Sequence, residues 1–236
     1  DMINRLLLAG NDRAEFISSR QPAVRSTGLR NPYSWSAVDE VDCVQWIKQS
    51  LKIFNPQTYS PVYLLPVPEG WSTEQFSLPP DFAKQLPLKG VEGLRFSPGW
   101  GDVKSDEHWS YAFLWWLDGN ADIDASFIQE NLKILYTGLV ARNIIPRKIP
   151  KEKLFPVEVK IRSIKTMPGD LKTFEGTVHM LDYMPQTPMT MNIRIHNKDC
   201  ADKTHSSLLF EVSPKPFDHS NWKKLDKLNT DFECTK

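Results

Sequence analysis

The chain lacks most of the sequence signals that identify a chemical function. Only 3 of its 236 residues are cysteine, and they form neither a CxxC pair nor a zinc-ligand spacing. It contains no GxSxG motif and no phosphate-binding glycine loop. The sequence therefore gives no support for a zinc site, a covalent hydrolase or a nucleotide enzyme, and we expect no cofactor and no metal.

Excess charge and long apolar runs are also missing. The 29 lysines and arginines balance 29 aspartates and glutamates, so the net charge is zero. Such a chain has no general electrostatic attraction for nucleic acid or anionic lipid. No stretch approaches the roughly 18 uninterrupted apolar residues of a membrane span. We expect a soluble protein whose partner is another protein or a small-molecule ligand.

Two of the cysteines leave one covalent possibility open. Cys200 and Cys234 can form a disulfide that holds the C-terminal tail to the sheet if the compartment is oxidising. Three unpaired thiols are the other possibility. A periplasmic or secreted location is consistent with the disulfide.

The N-terminal part differs from the remainder. Residues 2–19 and 36–54 have the apolar spacing of helices. We predict a helical N-terminal segment over 1–55 and an α+β sheet domain over 56–236, and the two can belong to one continuous domain.

An aromatic run over 107–117 alternates as a strand does. One side carries Trp109, Tyr111, Phe113, Trp115 and Leu117, and the other carries His108, Ser110, Ala112, Leu114 and Trp116. Because both sides are partly apolar, we predict a central strand that is covered on both faces. A helix follows at about 124–141. The proline-rich residues before the run offer only two short strands, 62–65 and 93–97.

Residues 154–213 predict a four-stranded antiparallel meander. Folding the chain about Pro168-Gly169 pairs Val159 with Val178 and Ile161 with Gly176 on one face. The other face then pairs Glu158 with His179, Lys160 with Thr177 and Arg162 with Glu175. Apolar side chains meet one another and opposite charges meet, as cross-strand pairing favours. Since a two-residue Pro-Gly turn fits hairpin twist poorly, a wider loop about the same centre is compatible with this register.

Together these elements predict an α+β protein in which an antiparallel sheet packs against one main helix, with N-terminal helices alongside. The order helix, helix, strand, strand, helix and meander, over about 36–213, resembles that of NTF2-like proteins in element order alone. The resemblance implies a curved, cone-like sheet with a pocket between its concave face and the helix.

The polar face of the meander is the first candidate site. Glu158 opposite His179 can act as a general acid/base pair, because a carboxylate orients the imidazole and raises its basicity. Arg194 can hold an anionic group, and Asn192 lies on the same face. An ordinary solvent face with weak charged pairs is the competing interpretation.

The aromatic segment is the second candidate site. His108 can act as a base with Asp106 as its orienting carboxylate, while Trp100, Trp109 and Tyr111 can stack on a sugar or a planar ligand. The competing interpretation is a polar residue at a strand end beside core tryptophans.

A third segment, 118–124, has oxygen ligands at alternate positions, as a calcium loop does. Ile123 stands where an EF-hand needs glycine, and Gln129 stands where it needs an acid. We interpret the segment as a polar turn that caps the next helix.

The function that we expect is a non-catalytic binding or protein-interaction module. The alternative is an acid/base enzyme that acts on a small polar or anionic substrate in a pocket between sheet and helix. The residues of that enzyme would be His179 or His108 as base, Glu158 or Asp106 as orienting carboxylate, and Arg194 as anion clamp. The two hypotheses predict different structures. An enzyme needs its histidine and carboxylate inside a concave pocket, whereas a binding module leaves them on an open face.

Overall fold

The structure is a computed structural model that describes residue 55 and residues 59–200 and 204–234. Within these residues it contains nine β-strands and two α-helices. The strands are β1 (Tyr63–Leu64), β2 (Ser72–Leu78), β3 (Gly90–Phe96), β4 (Tyr111–Asp118), β5 (Glu158–Ser163), β6 (Asp170–Asp182), β7 (Thr187–Lys198), β8 (His205–Ser213) and β9 (Glu233–Cys234). The helices are α1 (Ala125–Ile144) and α2 (Ser220–Thr230). The predicted α+β class is confirmed.

Seven strands form one antiparallel sheet in the order β2-β3-β4-β8-β7-β6-β5, and β1 pairs with β9 separately. The meander β5 to β8 occupies consecutive places in the large sheet, as predicted. β4 lies inside the sheet between β3 and β8. No helix among the described residues combines the length and apolar composition needed to cross a membrane.

The predicted register of the first hairpin is confirmed. Glu158 lies opposite His179, Val159 opposite Val178, and Arg162 opposite Glu175. Residues 164–169 form the connection, so the loop is wider than two residues about the predicted centre.

β4 begins at Tyr111, four residues later than predicted, because Trp109 has a positive φ of 54° that a strand does not accept. Both faces of β4 are covered, as predicted. Phe113 packs in the core beneath α1, whereas Leu114 packs on the opposite face with Tyr63.

The opposite face of the sheet is covered mainly by the C-terminal segment. Trp222 of α2 is buried against Ala112 of β4. Cys200 and Cys234 form a disulfide with their Cα atoms 5.5 Å apart, which resolves the alternative left open by the sequence. The predicted N-terminal helices lie outside the described residues, so the 1–55 segment stays a prediction.

α1 begins at a capped turn and makes one very close backbone approach. Asp124 accepts a hydrogen bond from the backbone N of Phe127 at 2.7 Å, which is the capping role predicted for this segment. At Gly138 the helix passes so near Phe82 that an added Cβ would lie 2.1 Å from the Phe82 carbonyl oxygen. Glycine at this position sets the distance between α1 and the chain that precedes β3.

We expect Gly138→Ala to lower the free energy of unfolding by about 2 kcal/mol, because the new methyl group must displace backbone. Alanine elsewhere in a helix interior would stabilise by up to about 1 kcal/mol relative to glycine. Urea denaturation measures the change. Thr137→Ala, at the exposed neighbouring position, is the control and should stay within about 0.5 kcal/mol of wild type. Equal stability of Gly138→Ala and wild type would contradict the close approach.

Candidate functional site

A cavity of about 300 Å³ lies between α1 and the β2, β3 and β4 strands. The strands contribute Glu74, Phe76, Glu92, Leu94, Phe96, Tyr111 and Phe113. The helix contributes Leu135, Tyr136, Leu139, Arg142 and Asn143. The remaining lining side chains come from connecting segments and are Phe82, Trp100, Trp109, Arg147 and Tyr183. A pocket between helix and sheet is thus present where the element order implied one.

The strand register explains why these side chains share one surface. Phe76 lies opposite Glu92, and Phe96 lies opposite Tyr111. Because directly opposed residues project to the same face, alternate residues of three adjacent strands point toward α1. On the helix, the lining residues recur at spacings of three and four, which places them on one side.

Nine of the lining side chains are aromatic. The structure brings together all three residues predicted to stack on a ligand, with Trp100 and Trp109 ring centroids 5.6 Å apart and Trp100 and Tyr111 centroids 6.5 Å apart. The indole Nε1 atoms of Trp100 and Trp109 are buried without a hydrogen-bond partner among the residues that the structure describes. Both N–H groups are thus buried donors on side chains that line the cavity.

Glu92 is the least expected residue of the cavity. Its side chain is only 3% exposed, and its Oε2 atom has no hydrogen-bond partner in the described part of the chain. Burial raises the pKa of its carboxyl group from an ordinary 4.5 to about 8, since desolvation disfavours the charged form. The Trp115 indole opposes this rise in pKa, and the negative charge of Glu74 adds to it. At neutral pH, Glu92 is therefore mainly a neutral hydrogen-bond donor.

Two tyrosines form a second polar feature of the wall. The hydroxyl oxygens of Tyr111 and Tyr136 are 2.6 Å apart and both side chains are buried. Burial raises the pKa of both phenols well above their ordinary value of 10. Both hydroxyls stay neutral over the physiological range and hydrogen-bond mainly to each other.

Two arginines stand at the exposed rim of the cavity. Arg142 lies over the Phe82 ring at 5.4 Å, and Arg147 lies over the Tyr183 ring at 4.9 Å. Arg147 Nε also donates to Asn143 Oδ1 at 3.1 Å. Among the described residues, neither guanidinium has a carboxylate oxygen within 4.0 Å.

His108 has a different carboxylate partner from the one expected. His108 Nε2 and Asp182 Oδ2 are 2.7 Å apart, whereas Asp106 pairs with Lys215 Nζ at 2.7 Å. Neither His108 nor Asp182 belongs to the side chains that line the cavity. The His108–Asp182 pair joins the segment before β4 to the end of β6.

The Glu158 and His179 pair lies on the outer part of the polar face. Glu158 is exposed, and His179 Nδ1 is 2.9 Å from Thr190 Oγ1. The His179 ring also packs on Phe155 with centroids 5.1 Å apart. The two candidate residues are neighbours in register on an open surface, outside the cavity.

Arg194 and Asn192, the other predicted ligand contacts, are engaged by the protein itself. Arg194 Nη1 is 2.8 Å from Asp226 Oδ1, and Arg194 Nε is 3.2 Å from Glu175 Oε1. Its guanidinium also stacks on Phe217 at 4.8 Å. Asn192 donates to the Lys215 carbonyl at 3.0 Å. These contacts occupy Nε and Nη1 of Arg194 and the side-chain amide of Asn192.

Beneath α2 lies a buried ionic cluster that includes a further histidine of the polar face. His196 Nδ1 is 2.7 Å from Asp170 Oδ2, and its Nε2 is 3.5 Å from Glu211 Oε2. All three side chains are fully buried. Burial alone would lower the pKa of His196, but its hydrogen bond to the Asp170 carboxylate and the negative charge of Glu211 raise it. We interpret this cluster as structural.

The 118–124 segment, which has the oxygen spacing of a calcium loop, is contacted by a lysine side chain. Lys172 Nζ donates to the Ile123 carbonyl at 2.6 Å, and Asp124 is used as the α1 cap. Within the described part of the chain, no group of three or more histidine, cysteine, aspartate or glutamate residues is arranged to hold a metal ion.

The sequence matches no protein-family model, and its comparison with curated proteins and with solved structures gives no significant match. The interpretation of the cavity therefore depends on its own geometry.

We expect the stability of the protein to fall as the pH rises from about 4.5 to about 8, because Glu92 holds its proton in the folded state and loses it in the unfolded state. Below this pH range Glu92 is protonated in both the folded and the unfolded state, and above it Glu92 is ionised in both. Urea unfolding at several pH values measures the trend. Glu92→Gln should remove this part of the decline, and an unchanged pH dependence in that variant would contradict the assignment.

Proposed function

We propose that the protein is a non-catalytic binding module that holds a small, planar, mainly apolar molecule in the cavity between α1 and the sheet. The observation that carries this proposal is the aromatic lining, nine rings around about 300 Å³. Small-molecule pockets have a similar composition, with an apolar wall and a few polar groups that orient the ligand, and volumes from about 300 Å³ upward.

The positions of the candidate catalytic residues favour binding over acid/base chemistry on the polar face. Glu158 is exposed, and His179 is engaged with Thr190. Proton transfer benefits from a concave site that restricts water, which an open sheet surface does not provide.

A second candidate function is acid/base catalysis inside the same cavity, with Glu92 as the proton-transfer group. The observation that favours it is the pKa of Glu92, raised to about 8 inside a concave site. In that case Glu92→Gln would abolish product formation and leave binding intact. A binding module gives a stable stoichiometric complex in which the ligand is recovered unchanged.

We also infer that the protein works in an oxidising compartment, outside the cytoplasm. The Cys200–Cys234 disulfide supports this, since such bonds persist mainly in oxidising surroundings. Protein isolated from its native source should expose one of its three cysteine thiols in denaturant before reduction and all three afterwards. Three thiols before reduction would contradict the inference.

The binding proposal predicts that closing the cavity abolishes ligand uptake. Leu139 lines the cavity at a half-buried position, so Leu139→Trp should fill its entrance. We expect anilinonaphthalene sulfonate, an aromatic probe, to bind this variant at least about tenfold more weakly than wild type. Calorimetric titration measures the affinity.

Thr137→Trp is the matched control, because Thr137 is exposed on the same helix and does not line the cavity. It should bind the probe as wild type does. Equal binding by both variants would place the probe elsewhere and contradict the proposal.

A further inference from the structure

The cavity has two chemically different ends. One end is marked by Glu92, near the start of β3, and the other by Phe96, where β3 finishes. Phe96 is four positions after Glu92, which is about 13 Å along an extended strand. A ligand that uses both ends must therefore be elongated.

The Phe96 end is the cationic one. Phe96 lies opposite Tyr111, which packs against Trp109 with ring centroids 6.2 Å apart. Trp109 packs on Tyr183 at 5.2 Å, and the Arg147 guanidinium covers that tyrosine at 4.9 Å. This chain of contacts connects Arg147 to the Phe96 end of the cavity.

We propose that the cavity binds an elongated aromatic acid, with a carboxylate at the arginine end, a planar apolar body between the rings, and an acceptor-only oxygen such as a ketone carbonyl at the Glu92 end. This inference rests on the proposed function and specifies the class of ligand.

The arginine end supplies donors that match a carboxylate. Arg142 lies near the same tyrosine as Arg147, since both positive charges oppose the rise that burial causes in the pKa of Tyr183. Neither arginine has a carboxylate partner among the described residues, and each guanidinium presents several N–H groups. The unpartnered indole N–H groups of Trp100 and Trp109 belong to side chains at this end. Glu74 is the only acidic side chain at the rim among the described residues, so the two arginines leave it with a net positive charge.

The Glu92 end requires an acceptor. Glu92 is buried with an unpartnered Oε2 atom, and at neutral pH its carboxyl group keeps its proton. A buried donor without a partner is costly, so an acceptor oxygen in the ligand removes a penalty that the empty cavity carries. A ketone oxygen accepts and cannot donate, which makes its binding depend on that proton.

Glu92 is the group that controls the pH dependence of binding. The other charged or titratable side chains facing the cavity are Glu74 of β2, Tyr111 of β4, Tyr136 and Arg142 of α1, and Arg147 and Tyr183 of the connecting segments. Burial raises the pKa of Tyr183 to about 12 and holds those of the other two tyrosines higher still. Affinity for the keto acid should therefore decline as the pH rises past about 8.

Three matched probes test the ligand class by calorimetric titration. The first is an acetylnaphthoate with the acetyl group and the carboxylate at opposite ends of the ring system. Naphthoate lacks the carbonyl, and acetylnaphthalene lacks the carboxylate. We expect the acetylnaphthoate to bind about tenfold more tightly than acetylnaphthalene and at least about threefold more tightly than naphthoate.

Rim variants test the carboxylate end. Arg142→Gln and Arg147→Gln should weaken acetylnaphthoate about tenfold and leave the neutral acetylnaphthalene unchanged. Lys133→Gln is the charge-matched control, because Lys133 is exposed on α1 and does not line the cavity. Equal loss for the charged and neutral probes would overturn the assignment of the arginines.

Glu92 variants test the other end. Glu92→Gln keeps an N–H donor, so it should bind acetylnaphthoate within about threefold of wild type at neutral pH and lose the decline at high pH. Glu92→Leu should bind acetylnaphthoate and naphthoate equally. Affinity that rises with pH in the wild type would show a ligand that donates to ionised Glu92, and would overturn the acceptor assignment.

The four compounds distinguish a wrong ligand class from a wrong function. Binding of all three probes with equal affinity overturns the ligand class and leaves the binding module intact. Binding of anilinonaphthalene sulfonate without any of the three overturns it as well. Failure of all four compounds contradicts the proposed function itself.

Discussion

The burial of β4 on both faces is the constraint on which the rest of the structure depends. A strand with this many large aromatic residues cannot lie at a surface, because each ring buries a large apolar area and stabilises the fold only when it is packed. One face meets α1 and the other meets α2 and the segment around Tyr63. The Phe113 and Phe210 rings stack at 4.3 Å, which joins β4 to the meander. The cavity is the part of this aromatic layer where the rings enclose space.

Because β4 is covered on both faces, polar side chains are buried on both sides of the sheet. The two sides differ in how these polar groups are stabilised. On the α2 side, Arg194 and His196 are paired with carboxylates, so their charges are compensated by the protein. On the α1 side, Glu92 is buried with no ionic partner among the described residues and keeps its proton instead. A carboxyl group in an apolar wall costs stability and is better tolerated where a ligand can complete its hydrogen bonding. This contrast makes Glu92 the most informative polar residue of the chain.

Local chemistry in the sequence was enough to predict the hairpin register, since opposite charges and apolar side chains specify which residues of β5 and β6 meet. Trp100, Trp109 and Tyr111 were also found from sequence, because their aromatic character suits a planar ligand. Glu92 was missed, since the predicted strand began at residue 93 and a lone glutamate in such a segment usually faces solvent. Arg142 and Arg147 follow the predicted end of the helix at 141. Their place at the cavity depends on tertiary packing, which spacing along the chain does not reveal.

The most direct test of the account is the ionisation of Glu92, followed by NMR of isotope-labelled glutamate carboxyl carbons in the free protein and in its complex with the acetylnaphthoate. We predict a midpoint near pH 8 in the free protein and a higher midpoint in the complex, because the ligand carbonyl stabilises the protonated carboxyl group. A midpoint near the ordinary value of 4.5, unchanged by ligand, would contradict it.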